Sequence, residues 1–148
     1  MVDIFHGKIM EKLIECLHAK GCSCVVGKDE TMRCFFGKGI RDLLDMSADG
    51  NGLLQGAEVA DKVVGKAAAS LLVCGGVARV YADLMSEGAL SMLRSNGIPF
   101  SYAQLVPYIK RRDMMGMCPM EQLTQDAPDA ATAVCRIRDF LKQKKTAL

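Results

Sequence analysis

Two lysines, a thiol and a few acids are the residues of this chain best placed to do chemistry. Lys62 and Lys66 lie four apart in the segment EVADKVVGKAAASLLVCGG, residues 58–76, and Lys66 follows Gly65. On one helix that spacing puts both ammonium groups on one face. Near a helix start they oppose the dipole, at roughly a few tenths of a kcal/mol each. A bound anion would relieve that cost; otherwise both amines reach out into water. A nucleotide-hydrolysing phosphate loop is excluded. It needs Gly-x-x-x-x-Gly-Lys followed by Ser or Thr, whereas Ala60 stands at the first glycine position and Ala67 follows Lys66.

The other candidates are sulfur and charge. MCPME places Cys118 at an expected helix start, with Pro119 in the first turn and Glu121 at the third position. A helix N-terminus can lower a thiol pKa and make a nucleophile or redox-sensitive group. The bland reading is a capping turn that Glu121 completes. Arg111 and Arg112, just before it, are suited to carboxylate or phosphate. Cys22, Cys24 and Cys34 fall on an expected hairpin near His18. Cys-x-Cys on a strand sends both thiols to one face, a poor start for a metal site, so they are expected as buried core residues and no metal is expected. His6 and His18 are expected as surface or packing residues. No Ser/His/Asp set and no paired-His motif is present.

The bulk of the chain frames these candidates. Its 148 residues suit one domain, 1–148, with a helix over 3–20 packed on a core over 22–145. Half the residues are hydrophobic and 24% charged, a globular balance. The net charge of +2 is too small for a nucleic-acid footprint, and Trp is absent with only 5% aromatics, leaving few stacking platforms. Seven cysteines, an odd count, with a polar N-terminal stretch lead to the expectation of a cytoplasmic protein with reduced thiols. No apolar run reaches the roughly 18 residues of a membrane span.

The elements that must position the candidates alternate along the chain. A helix over 3–20 carries Ile9, Leu13 and Leu17 at helical spacing. A hairpin follows, turning at Lys28-Asp29-Glu30, then a short helix over 39–47 and a loop over 48–52. A strand over 53–60 leads into the lysine helix, which stops at Gly75-Gly76. VARVYADLM is a strand, and SEGALSMLRSNG is a helix with Ser86 as N-cap. IPFSYAQLV is a strand, 111–117 a loop, CPMEQLTQ a short helix, and the last helix is capped by Asp126 or Asp129. Strand-helix-strand alternation implies parallel neighbours and the hairpin is antiparallel. The expected architecture is α/β, a three-layer α-β-α with a mixed sheet of about five strands.

VVGKAAASLLVCGGVARVYADLMSEGAL, LVPYI and MCPMEQ, in this order and spacing, resemble an uncharacterised bacterial domain-of-unknown-function family with a cytidine-deaminase-like fold, over about residues 23–140. Zinc deaminases carry a His/Cys-x-Glu motif at one helix start and Pro-Cys-x-x-Cys at the next. At the matching places this chain has Gly65, Lys66 and Ala67, then Glu87, Gly88 and Ser91, with Glu58 and Asp61 offset from the catalytic glutamate. None of the first six is a good zinc ligand. Deamination needs metal hydroxide and a glutamate proton shuttle, so the resemblance implies the fold and argues against the reaction.

The pocket that the resemblance implies lies at the N-termini of two helices, beside strand C-terminal ends. Its expected walls are Asp61, Lys62, Lys66, Ser86 and Glu87, with Arg111, Cys118 and Glu121 reaching in from the later loop. That mixture suits a small anionic or nucleotide-like ligand, with no cofactor. One alternative is an enzyme or redox-sensitive protein acting through Cys118. Another is an oligomeric interaction module, with ten methionines, including Met114, Met115 and Met117, offering adaptable surface. A homo-oligomer with no nucleic-acid or membrane partner is expected.

Overall fold

A computed structural model describes residues 7–37, 40–48, 52–111 and 113–146. The expectations for residues 1–6, His6 among them, for part of the 48–52 loop and for Arg112 lie outside the described residues. The elements are α1 (Gly7–Lys20), β1 (Cys24–Lys28), β2 (Thr31–Phe35), α2 (Arg41–Ala48), β3 (Glu58–Val64), α3 (Lys66–Gly75), β4 (Arg79–Ser86), α4 (Glu87–Ser95), β5 (Phe100–Val106), α5 (Pro119–Thr124) and α6 (Ala130–Thr146). They form the mixed sheet of five strands expected, in the order β2-β1-β3-β4-β5. β1 is antiparallel to both β2 and β3, whereas β3-β4 and β4-β5 are parallel pairs joined through α3 and α4. The hairpin turns where expected: Asp29 and Glu30 both take positive φ, 50° and 64°, the left-handed pair a two-residue hairpin turn needs.

Helices cover both faces, unequally. α1 alone packs Met10, Leu13 and Leu17 against Val25, Ala60 and Tyr81 on one side. A larger core on the other side joins the sheet to α2, α3, α4 and α6 through Leu43, Leu71, Leu72, Leu93 and Ile137. α3 lies at its centre: Ala67 to Leu72 are all buried. Short side chains at Ala67, Ala68 and Ala69 let neighbouring backbones close in on every side.

Two expectations need correction here. The strand before α3 covers 58–64, not 53–60, so the lysine segment is half strand and half helix. Val59, Val63 and Val64 are β-prone residues that pair with β1 or β4, and Ala60 between them pairs with both. Gly65 then turns the chain as the N-cap of α3, at φ −95° and ψ −177°. Lys62 is therefore on a strand and Lys66 opens the helix; they share no helical face. The Cys-x-Cys expectation fails as well. Cys22 precedes β1 rather than lying in it, and its thiol belongs to the core under α1, while Cys24 belongs to the core on the opposite face. Strand parity does not apply to a residue outside the strand.

The caps divide in the same way. Ser86 caps α4 as expected, accepting the Ala89 N–H at 3.1 Å, and Asp129 caps α6, accepting the Thr132 N–H at 2.7 Å. Cys118 makes no side-chain cap on α5, and Glu121 closes no capping box on its own helix. Its carboxylate is used elsewhere.

Candidate functional site

Glu121 is the pivot. It is 6% exposed and bonds outward from its own short helix. Oε1 accepts the Lys66 N–H at 2.7 Å and Oε2 accepts the Ile109 N–H at 2.8 Å. The first N–H groups of a helix have no intrahelical partner and carry the positive end of its dipole. At α3 the chain's own carboxylate takes that place. A Cβ at Gly65 would stand 2.8 Å from Glu121 Oε1 and 2.9 Å from Ile109 Cγ1, so glycine is what lets the carboxylate come so near.

Lys66 is tied down at its other end. Its ammonium donates to the carbonyls of Gln125 at 2.9 Å and Ala127 at 2.8 Å, drawing the α5–α6 connection onto the start of α3. The positive charge that the sequence offers to an anion is thus engaged by backbone oxygen.

Glu121 also borders two clefts, where the sequence led to the expectation of one. The first, about 620 Å³, is bordered by Lys66, Glu87, Gly88, Ser91, Tyr108 and Glu121. The second, about 730 Å³, lies at the C-terminal end of β3, between the starts of α2 and α3 and the loop before α5. It is bordered by Asp61, Lys62, Arg111, Cys118 and Glu121. Of the eight candidate residues, Lys66 and Glu87 border the first, Asp61, Lys62, Arg111 and Cys118 the second, and Glu121 both. Ser86 is fully buried as a helix cap.

Asp61 is the unusual group of the second cleft. It is only 9% exposed, yet borders the open space. Burial pushes its pKa up to about 7; N–H donation from Val63 and Lys62 and the Cys24 thiol pull it back only in part, and nearby Asp42 pushes it up. The Val63 N–H lies 3.2 Å from Oδ1. Behind it, burial and the Asp61 carboxylate raise the Cys24 thiol. A carboxyl that titrates near neutrality can donate or accept a hydrogen bond under ordinary conditions. Ile40, Leu43, Val63, Ile109 and Met120 give the cleft apolar sides, and Lys62 and Lys110 place cations on it. Arg111 spends its guanidinium on Asp113 at 3.0 Å. Sequence reasoning found Asp61 but missed Lys110, the apolar sides and the carbonyls that hold Lys66. None of these carries a local motif, since each depends on segments that meet only in the fold.

Zinc does not fit the helix starts. Gly65, Lys66 and Ala67 open α3 and Glu87, Gly88 and Ser91 open α4, a set with one carboxylate, no thiol and no imidazole. Among the described residues, a single group of His, Cys, Asp or Glu gathers three ligand atoms within reach of one ion. It is Cys16, Cys22 and Cys34, on the α1 side of the sheet.

Residues 12–141 match the family described as TM1506, domain of unknown function DUF1893. The chain belongs to this family. A solved structure of a DUF1893 protein, TM1506 from Thermotoga maritima, is 24% identical, with 94% of this chain covering 92% of that one at a TM-score of 0.82. The fold is therefore the fold of that protein. Two further solved structures are similar over part of the chain. RibD from Acinetobacter baumannii is 18% identical, at a TM-score of 0.42 over 54% of this chain and 27% of that one. A Thermotoga maritima diaminohydroxyphosphoribosylaminopyrimidine deaminase/5-amino-6-(5-phosphoribosylamino)uracil reductase is 19% identical, at 0.42 over 64% and 35%. This chain thus spans about a third or less of those two proteins. No curated protein matches it. Among the described residues no helix is long and apolar enough to cross a membrane.

Proposed function

We propose that this DUF1893 protein binds a small nucleotide-like ligand in the cleft over Asp61. The observation that carries the reading is a nearly buried carboxyl, titrating near 7, that faces open space with apolar sides and cations around it. A buried ionisable group costs stability unless something repays it, and such groups cluster at functional sites. The chemistry suits a flat polar ring that pairs with Asp61 while Ile40, Leu43 and Met120 pack on its faces. An anionic group would lie toward Lys62 and Lys110. The first N–H of α3 is not offered to the ligand, since Glu121 accepts it. No reaction is assigned.

The test uses thermal unfolding with nucleoside monophosphates, free nucleosides and inorganic phosphate at millimolar concentration. A nucleoside monophosphate is expected to raise the midpoint by a few degrees, as linkage requires of any ligand that binds only the folded state. Inorganic phosphate is expected to do less. Asp61→Asn and Lys62→Ala should each weaken the shift, and the ligand should slow alkylation of Cys118 at the rim. A shift that both variants leave intact places the ligand elsewhere. No shift with any nucleotide or nucleoside removes the reading.

A further inference from the structure

On the face of the sheet away from both clefts, three thiols converge. Cys16 lies on the inner side of α1, one turn from its end. Gly21, at φ 64°, reverses the chain and brings Cys22 back beneath that turn, its Sγ 3.5 Å from the Cys16 carbonyl oxygen. Cys34 comes from β2, opposite Val25 of β1. The Sγ atoms of Cys16 and Cys34 are 3.2 Å apart, and all three sulfurs lie within 4.8 Å of one another. Cys16 and Cys22 are buried, and Cys34 is half-buried.

We infer that Cys16, Cys22 and Cys34 form a binding site for a thiophilic divalent ion of the zinc class. Three thiolates around one zinc, at Zn–S of about 2.3 Å, stand about 3.8 Å from each other. That separation lies between the shortest distance here and the upper bound on the others, so shifts of about half an ångström close the site. Sulfur donors with no carboxylate or imidazole among them select zinc and softer ions over magnesium or calcium. The fourth tetrahedral position is left to water or an external donor, which can enter on the half-buried side beside Cys34. Binding converts three thiols and Zn²⁺ into a tris-thiolate complex of net charge −1 and releases three protons. Lys20, whose charge acts on Cys16, offsets the remaining negative charge. Hydrogen bonding to Cys34 and burial hold the Cys16 thiol up to about 11, and burial raises Cys22; an ion would replace that thiol network by direct bonds. A Cys16–Cys34 disulfide would use two of the three sulfurs and require an oxidant, whereas the metal uses all three under reducing conditions. The inference is independent of the proposed ligand cleft.

The experiment is titration of the full, reduced chain with Zn²⁺ against a chromophoric chelator, with Co²⁺ as a spectroscopic substitute. One equivalent of zinc is expected, with thiolate-to-cobalt charge-transfer absorption, and release of protons that diminishes as pH rises past the thiol range. Cys34→Ser should weaken affinity by about 100-fold or more, while Cys74→Ser, at an exposed cysteine, should leave it unchanged. In the unmodified chain, zinc should protect Cys16, Cys22 and Cys34 from alkylation but not Cys74 or Cys135, a readout that does not depend on a variant folding. Binding that is absent, that survives Cys34→Ser, or that fails to protect the three thiols overturns the assignment. So does a Cys16–Cys34 disulfide in protein isolated anaerobically from zinc-replete cells.

Discussion

Asp61 and Glu121 are both buried acids, and their surroundings set them to opposite tasks. Asp61 is raised to about 7 from a value near 3.8. Between those two pH values the folded chain keeps a proton that the unfolded chain has lost, so stability falls as pH rises through this window and levels off above it. Asp61→Asn should abolish that slope and raise neutral-pH stability by on the order of 1–4 kcal/mol, read from urea midpoints at pH 5 and pH 8. Equal slopes in the two proteins would show that Asp61 is not the group responsible. Glu121 is held by two N–H donors instead. Glu121→Ala strands both of them beside a helix start and should cost about 2–4 kcal/mol. Gly65→Ala needs no forbidden backbone angle, yet its Cβ falls 2.8 Å from the clamped Glu121 oxygen; a loss of about 1–3 kcal/mol is expected, and circular dichroism during denaturation would measure it. The sequence offered Glu121 two roles, a capping turn on its own helix through MCPME and a place in the pocket wall. Nothing local shows that a carboxylate will bridge Lys66 and Ile109, because both partners are main-chain groups that every residue has.

At the next level up, the legible elements are those whose signals are self-contained. The hairpin announced itself by its turn, α4 by Ser86 and the Gly97 beyond its end, and α6 by an aspartate cap that the sequence left between Asp126 and Asp129 and the fold gives to Asp129. Asp129→Ala should cost about 0.5–2 kcal/mol, read as a lower thermal midpoint; an unchanged midpoint would mean that α6 is held by packing alone. The β3–α3 junction was misplaced because strand-prone valines and helix-prone alanines are mixed across it. Pairing with β1 and β4 decides for strand up to Val64, which no window of local sequence contains. The Cys22–Cys24 pair was misjudged for a related reason. Both thiols look like strand neighbours until the strand is seen to begin at Cys24. That single boundary separates the sulfur cluster under α1 from the thiol behind Asp61.

For the molecule as a whole, alternation of strands and helices made the mixed sheet legible, but not the uneven cover on its two faces. One helix closes one side and the remaining helices the other, with β1, β3 and β4 supplying residues to both cores. Shared strands couple the two sides, so thiol labelling of Cys22 and of Cys24 should report one common denaturant midpoint; an earlier transition at Cys22 would show α1 leaving as a separate unit. The Glu121 clamp has a kinetic corollary. One carboxylate holds two amides that lie far apart in the chain, so neither can be released to solvent by that route without disturbing the other. In deuterium oxide the Lys66 and Ile109 amides should exchange in step, gated by a single opening in which the segment carrying Glu121 swings away and the two clefts merge into one.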